Sequence, residues 1–226
     1  MLANAPAPKA ERTRAAILAA AEELFARHGY VATRLEDVAA VVGVKRAALF
    51  YYFPDKQHLY DAVIEGAFGS LVARLDEAFS TPASIAKRVE RGVEAWVDAI
   101  AARPTLARLI LRHAAEAEAH PTQGLFPATE RLLRGGWLLF EQGRASGELK
   151  PLHDDPFHTA SAVIGATVFY FVALSPLVPT RDFDPLAPEH VEAHKREAVR
   201  TVRYLLGIAT PRPVKKRPRI APRRKR

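Results

Sequence analysis

Apolar residues recur at helical spacing along almost the whole chain, and no run alternates with the period of two that marks a half-buried strand. Ile17, Ala21, Leu24 and Phe25 form one stripe, with Arg12, Arg14, Glu22, Glu23 and Arg27 on other faces, which predicts a first helix that Gly29 stops. Thr33 and Glu36 have the Thr-x-x-Glu spacing of a capping box, where hydroxyl and carboxylate each satisfy an orphan amide at a helix start. A short helix from Leu35 to Val42 should follow, broken by Gly43. A third, about Lys45 to Phe53, runs up to Pro54, which cannot continue it.

Beyond Asp55, a good N-cap, the expected helices lengthen to 56–79, 83–102 and 105–119, divided at Pro82 and Pro104. Helices over 127–146 and 156–174 come next, with Gly147 as the stop between them and Asp155-Pro156 as cap and first-turn proline. A proline-rich loop, Ser175 to Pro188, leads to a last amphipathic helix over 189–206, where Val191, Ala198, Val202 and Leu205 recur at helical spacing. The pattern predicts an all-α protein of about nine helices: a three-helix head and a larger helical unit. Within it, 159–174 is apolar on nearly every face and should be buried on nearly every side.

Charge changes this picture in one place. The chain of 226 residues carries a formal charge of +8, yet residues 211–226 hold nine basic residues and no acid, so the rest sums to −1. The excess belongs to a tail whose four prolines oppose helix formation. Such a tail is expected to be disordered, either an extended polycation that contacts phosphates or a solubilising terminus. The division expected is a disordered leader at 1–9, a three-helix head at 10–55, a helical body at 56–210 and the tail. There is no cysteine, which excludes disulfides, thiol nucleophiles and Cys-ligated metals. The leader lacks the apolar run of a signal peptide. The longest apolar stretch, Ala160 to Leu174, is broken by Ser161 and Thr167 and falls short of a membrane span. A cytoplasmic setting without membrane contact is expected.

Two short helices joined by a glycine-containing turn, the second rich in basic and aromatic residues, make a helix-turn-helix candidate. At about 100° per residue, Leu49 and Phe53 share a face that can pack on Val38, Ala39 and Val42, while Ala47 and Tyr51 point the opposite way. Lys45 and Arg46 at the start of one helix, and Arg34 at the start of the other, oppose the helix dipoles. A phosphate or base partner accounts for them better than helix stability does.

The run from Arg12 to Leu59, with Gly29-Tyr30, Thr33, Val38-Ala39, Gly43-Val44, Leu49-Phe50-Tyr51-Tyr52-Phe53 and Asp55-Lys56, closely resembles the N-terminal DNA-binding domain of the TetR family of transcriptional regulators. The resemblance implies that Arg46, Ala47 and Phe50 face base edges, that Tyr51 and Tyr52 contact phosphates, and that Lys56 reaches a phosphate. Arg34 and Lys45 replace the small hydroxyl residues common in the family and are expected to add phosphate or guanine contacts. Ala47 stands where glycine is frequent, Phe50 where tyrosine is usual and Tyr52 where histidine is usual, so the operator sequence cannot be carried over.

The same resemblance implies a homodimer through the helices near 156–174 and 189–206, although 156–174 could instead be the central helix of a monomer. It also implies an effector cavity, for which Phe68, Trp96, Leu109, His113, Phe126, Trp137, Phe140 and Phe169 are candidate lining. The function implied is a ligand-responsive repressor released from a palindromic, double-stranded operator by a small, largely apolar effector. A rival reading is an architectural DNA-binding protein without effector that relies on the tail. His190 and His194 have metal-ligand spacing, but the acid between them is out of register for a zinc protease. His153, Asp154, Asp155 and His158 form a looser polar cluster. No catalytic constellation and no cofactor are expected.

Overall fold

The computed structural model describes residues 8–116, 125–178 and 183–209. In chain order the helices are α1 (Lys9–Ala32), α2 (Leu35–Val42), α3 (Arg46–Tyr52), α4 (Lys56–Ser80), α5 (Ile85–Ala102), α6 (Pro104–Glu116), α7 (Leu125–Ser146), α8 (Pro156–Val172), α9 (Leu174–Leu177) and α10 (Pro188–Leu205). No strand occurs among the described residues. The protein is all-α, with one element more than expected: the proline-rich loop opens with the single turn α9. Most of the expected leader and the whole basic tail lie outside the described residues, and α1 takes in Lys9.

Local chemistry sets most boundaries. Gly29 adopts φ 81° and ψ 175°, a conformation open essentially to glycine, and this ends the regular part of α1. Gly43 is left-handed at φ 75°, and the Val44 amide donates back to the Ala39 carbonyl at 3.0 Å, closing α2. Asp55 caps α4 by accepting from the His58 amide, and Asp155 caps α8 by accepting from that of Phe157.

The expected capping box at Thr33 does not form. Thr33 is buried, and its hydroxyl turns back toward the carbonyls of Gly29 at 2.8 Å and Leu24 at 3.2 Å. The open end of α1 competes successfully for this group, because carbonyls left unpaired away from water are costly. Glu36 instead faces Arg46 at 3.0 Å, and with Asp37 it puts negative charge on the first turn of α2.

Leu49 and Phe53 share the core with Val38 and Ala39, so α3 is held by one face alone. The buried apolar residues form one cluster that runs without a break from Ile17 to Ile208. In it α4 packs on α1, α5 and α7, while α6 lies against α1 and α8, and α10 against α5 and α8. Gly92 in α5 permits a close approach: a Cβ there would fall 2.3 Å from the Phe79 ring of α4.

Helix α8 is buried on one side within the chain. Val163, Thr167, Val168 and Phe171 are buried, but Ser161, Ala162, Gly165, Ala166 and Phe169 are exposed. One chain supplies neighbours for only one side of this helix. No described helix is long and apolar enough to cross a membrane.

The far end of α1 is clasped by the connection between α5 and α6. The half-buried Glu22 carboxylate accepts from Arg103 Nε at 2.6 Å and also from Arg103 Nη2 and the Thr105 hydroxyl. Burial pushes the Glu22 pKa up, but those hydrogen bonds outweigh it and hold the group below its ordinary value. A carboxyl whose folded pKa is depressed stabilises above its unfolded pKa and loses that contribution as pH falls through the folded value. Arg103→Ala should therefore cost about 1–3 kcal/mol at neutral pH. In urea melts, the difference from wild type should shrink steadily below about pH 4.

Candidate nucleic-acid interface and ligand cavity

Packed by its Leu49 face, α3 turns Ala47, Phe50 and Tyr51 outward, with Phe50 44% and Tyr51 82% exposed. Large aromatic side chains left in water on a seven-residue helix make an apolar surface without a partner in the monomer. Arg34, Lys45 and Arg46 are exposed around them. Arg46 both pairs with Glu36 and lies 5.6 Å from the centre of the Phe50 ring. Tyr52 is half-buried, edge-on to Tyr51 at 5.1 Å.

Lys56 takes a less open position. Its ammonium donates to the Val31 carbonyl at 3.1 Å and stands 4.4 Å from the centre of the Tyr30 ring, and burial lowers its pKa. Tyr30 in turn packs edge-on to Tyr60, and its amide donates to the Glu116 carboxylate of α6 at 3.0 Å. Arg112, one turn earlier on α6, donates to the Arg27 carbonyl at 3.0 Å. The junction of head and body is thus an aromatic cluster edged by charge, and the sequence pattern offered no sign of the Glu116 contact.

The candidate cavity residues divide. Trp96, Trp137 and Phe140 line a cavity of about 230 Å³ enclosed by α4, α5, α7, α8 and α10. Leu109 is wholly buried in the core between helices, and Phe169 is half-exposed on the open face of α8. His113 lies against Tyr60 and Phe68 at the junction, with Nδ1 3.5 Å from the Tyr60 hydroxyl, and burial lowers its pKa. Burial also pushes the Tyr60 pKa up, to about 12. The side chain of Phe126 lies outside the described residues.

Leu75, Phe79, Phe157, Val163, Val202 and Leu206 also line the cavity and were not among the candidates. They follow the same apolar periodicity as ordinary core. Only the mid-helix glycine at 92, facing Phe79, hinted at an unusual approach. The lining side chains are apolar apart from Thr159 and the indole of Trp96, whose nitrogen is buried without a hydrogen-bond partner. Trp137 and Phe157, 5.9 Å apart, line the cavity and are also exposed, so its mouth opens between α7 and α8.

The histidine clusters turn to local tasks. His190 Nδ1 donates to the Asp184 carbonyl at 2.7 Å, while His194 stacks on Tyr170 at 4.3 Å and meets the Thr167 hydroxyl at 3.2 Å. Asp154 pairs with Arg144 at 2.9 Å, and Asp155 is the α8 cap.

Residues 17–63 match the family model described as bacterial regulatory proteins, tetR family. Residues 17–63 are thus similar to the N-terminal domain of TetR-family regulators. It is 34% identical over 93 residues to the transcriptional activator FasR of Mycolicibacterium smegmatis, covering 41% of this chain and 42% of that one. It is 49% identical over 49 residues to the transcriptional regulator RutR of Escherichia coli, covering 22% of this chain and 23% of that one. The match therefore spans less than half the length of these curated relatives. A TetR-family regulatory protein from Rhodococcus shares the fold over 88% of this chain and 99% of its own, with a TM-score of 0.67 and 21% identity.

The relatives are named as regulators of transcription and not as enzymes. The matched segment contains all of α2 and α3, the helix-turn-helix candidate. Glu36 stands as a counter-charge beside Arg46 on the exposed side of this segment. Glu36→Gln should tighten binding to DNA of any sequence about two- to fivefold, as expected for loss of one exposed ion pair and one repulsive charge. Fluorescence anisotropy with a random duplex at low salt would measure it.

Proposed function

We propose that the protein is a homodimeric repressor that reads a palindromic operator with α3 and leaves it when a small, largely apolar effector enters the cavity. The observation that carries this reading is the pairing of two unsatisfied apolar surfaces in one chain. The aromatic face of α3 looks outward, and an apolar cavity opens between α7 and α8. Residues 10–55 form the reading head and residues 56–210 the effector and dimerisation body, working on DNA in the cytoplasm. A second copy covers the exposed small-residue face of α8 beside α10, placing two copies of α3 in successive major grooves about 34 Å apart.

In each head, Arg46, Ala47 and Phe50 meet base edges. Phe50 has no hydroxyl and offers apolar contact only, such as to a thymine methyl. Arg34, Lys45, Tyr51, Tyr52 and Lys56 meet phosphates, which set register without reading sequence. Effector in the cavity displaces α4, and the two reading heads change their separation. Effector and operator are then coupled negatively, by the same free energy in either direction.

Footprinting on chromosomal fragments tests the whole reading. One protected palindrome beside a promoter supports it, and sequence-indifferent coverage would overturn it in favour of an architectural role. A reporter driven by that promoter should rise when the protein is deleted. A fall would make the protein an activator, as FasR is named. Phe50→Ala should reduce the preference for operator over random DNA with little change in salt dependence. Lys45→Ala should weaken binding to both and make the log–log salt slope shallower by about 0.9.

The basic tail adds phosphate contacts in this proposal. Truncation after Thr210 should lower affinity for specific and random duplexes alike and flatten the salt slope further. An unchanged slope would leave the tail without a part in DNA binding.

A further inference from the structure

Arg108, Leu111, Arg112 and Ala115 fall at i, i+3, i+4 and i+7 on α6 and so share one face. That face and Arg27 near the end of α1 wall a groove of about 520 Å³, with Val172 at the end of α8 as a third side. The groove is separate from the apolar cavity, since no residue lines both.

Three guanidinium groups thus border one space. Gathering like charges costs free energy unless something offsets it, and the offsets within the chain are few. Arg27 pairs with Glu23 at 2.6 Å. Arg112 donates one N–H to the Arg27 carbonyl at 3.0 Å, which uses one of the five donors of a guanidinium. Arg108 meets no carboxylate among the described residues. Glu116, one turn beyond Arg112, turns its carboxylate to the Tyr30 amide.

The wall that carries these cations is otherwise apolar. Leu111 is 47% exposed, Ala115 is exposed and Val172 half-buried. Apolar surface left in water gains free energy when it is covered, so charge and apolar contact are on offer side by side. A bare inorganic ion would use only the first.

We infer that this groove binds a small organic anion, whose carboxylate or phosphate group takes the guanidinium forks of Arg108 and Arg112 while a compact apolar body covers Leu111 and Val172. A planar guanidinium matches either group bidentately. Bound there, the anion bridges α1 and α6 beside the contact by which Arg112 holds the end of α1. The site stands or falls independently of the effector reading of the cavity. A DNA duplex presents phosphates without such a body, which favours the small ligand.

Four probes test it by calorimetry on the full-length protein at about 0.15 M salt: benzoate, phenyl phosphate, acetate, which lacks the apolar body, and benzyl alcohol, which lacks the charge. Benzoate or phenyl phosphate should bind one per chain, about tenfold or more tightly than acetate and benzyl alcohol, and the tighter of the two identifies the anionic group. Arg108→Ala should weaken that binding about tenfold, and Leu111→Asp should abolish it. Both positions are exposed, so thermal melts of the variants should match wild type. The chain has two tryptophans, and both line the cavity while neither lines the groove. The two indole signals in the nitrogen-15 spectrum should therefore stay in place.

Binding that survives both substitutions, or that moves the indole signals, would overturn the groove as the site. Acetate binding as tightly as benzoate would overturn the apolar body, and failure of every anion to bind would overturn the inference outright. If a random duplex displaces the bound probe and Arg108→Ala also weakens duplex binding, the groove is a DNA phosphate contact and the small ligand is ruled out.

Discussion

The placement of the reading head depends on how the end of α1 is anchored. A helix terminus leaves amides and carbonyls without partners, and the last turns of α1 lie against α6. Groups there are met by side chains from two directions, Thr33 from the chain that follows and Arg112 and Glu116 from α6, while Arg103 grips Glu22 further back along the helix. Gly29 makes this possible, since its backbone conformation aims the Tyr30 amide at Glu116 and leaves no room for a Cβ, which would lie 2.3 Å from that carboxylate. The end of α1 is therefore fixed by polar contacts at one joint, and the apolar faces of α2 and α3 pack onto the core beneath it.

Much of this architecture was legible in the sequence. Apolar stripes and punctuating residues located the main helices to within a few positions, because Gly43, Asp55, Gly147 and Asp155-Pro156 act locally. The exposed face of α3 followed from the same arithmetic once Leu49 and Phe53 were assigned to the core. What remained hidden was tertiary. Thr33 and Glu36 have the spacing of a capping box, but a distant demand, the open end of α1, took the hydroxyl. The partner of Lys56 is Tyr30, and no helical period links them. The cavity was hardest to foresee, because residues that wall a space and residues that fill one share the same spacing. Trp96 and Leu109 look alike in the pattern, yet one lines a cavity and the other is packed solid.

The two surfaces that need a partner are built oppositely. On α3, bulky aromatic groups protrude from a helix too short to hold them in a core, and neighbouring cations surround them. On α8, the exposed side is mostly small, with Ser161, Ala162, Gly165 and Ala166 in succession and Phe169 at its end. A face of small side chains lets another helix backbone come close, whereas protruding rings and charges suit a groove with a polar floor and anionic walls. The outward side of α10, with Glu192, Arg196, Glu197 and Arg200 exposed, adds charge beside the small-residue face. One chain thus offers separate chemistries for a protein surface and for a nucleic acid.

Helix α4 touches both ends of the molecule. Lys56 begins it beside the head, and Phe79 near its other end walls the cavity. At 1.5 Å per residue these two positions are about 35 Å apart along one unbroken helix. A rod of that length turned by about 3° around one end carries the other through about 2 Å. That distance spans the difference between a made and a broken hydrogen bond. In the proposed function, a cavity wall that yields by less than the thickness of a methyl group would be sufficient, through leverage alone, to put a phosphate contact at Lys56 out of reach.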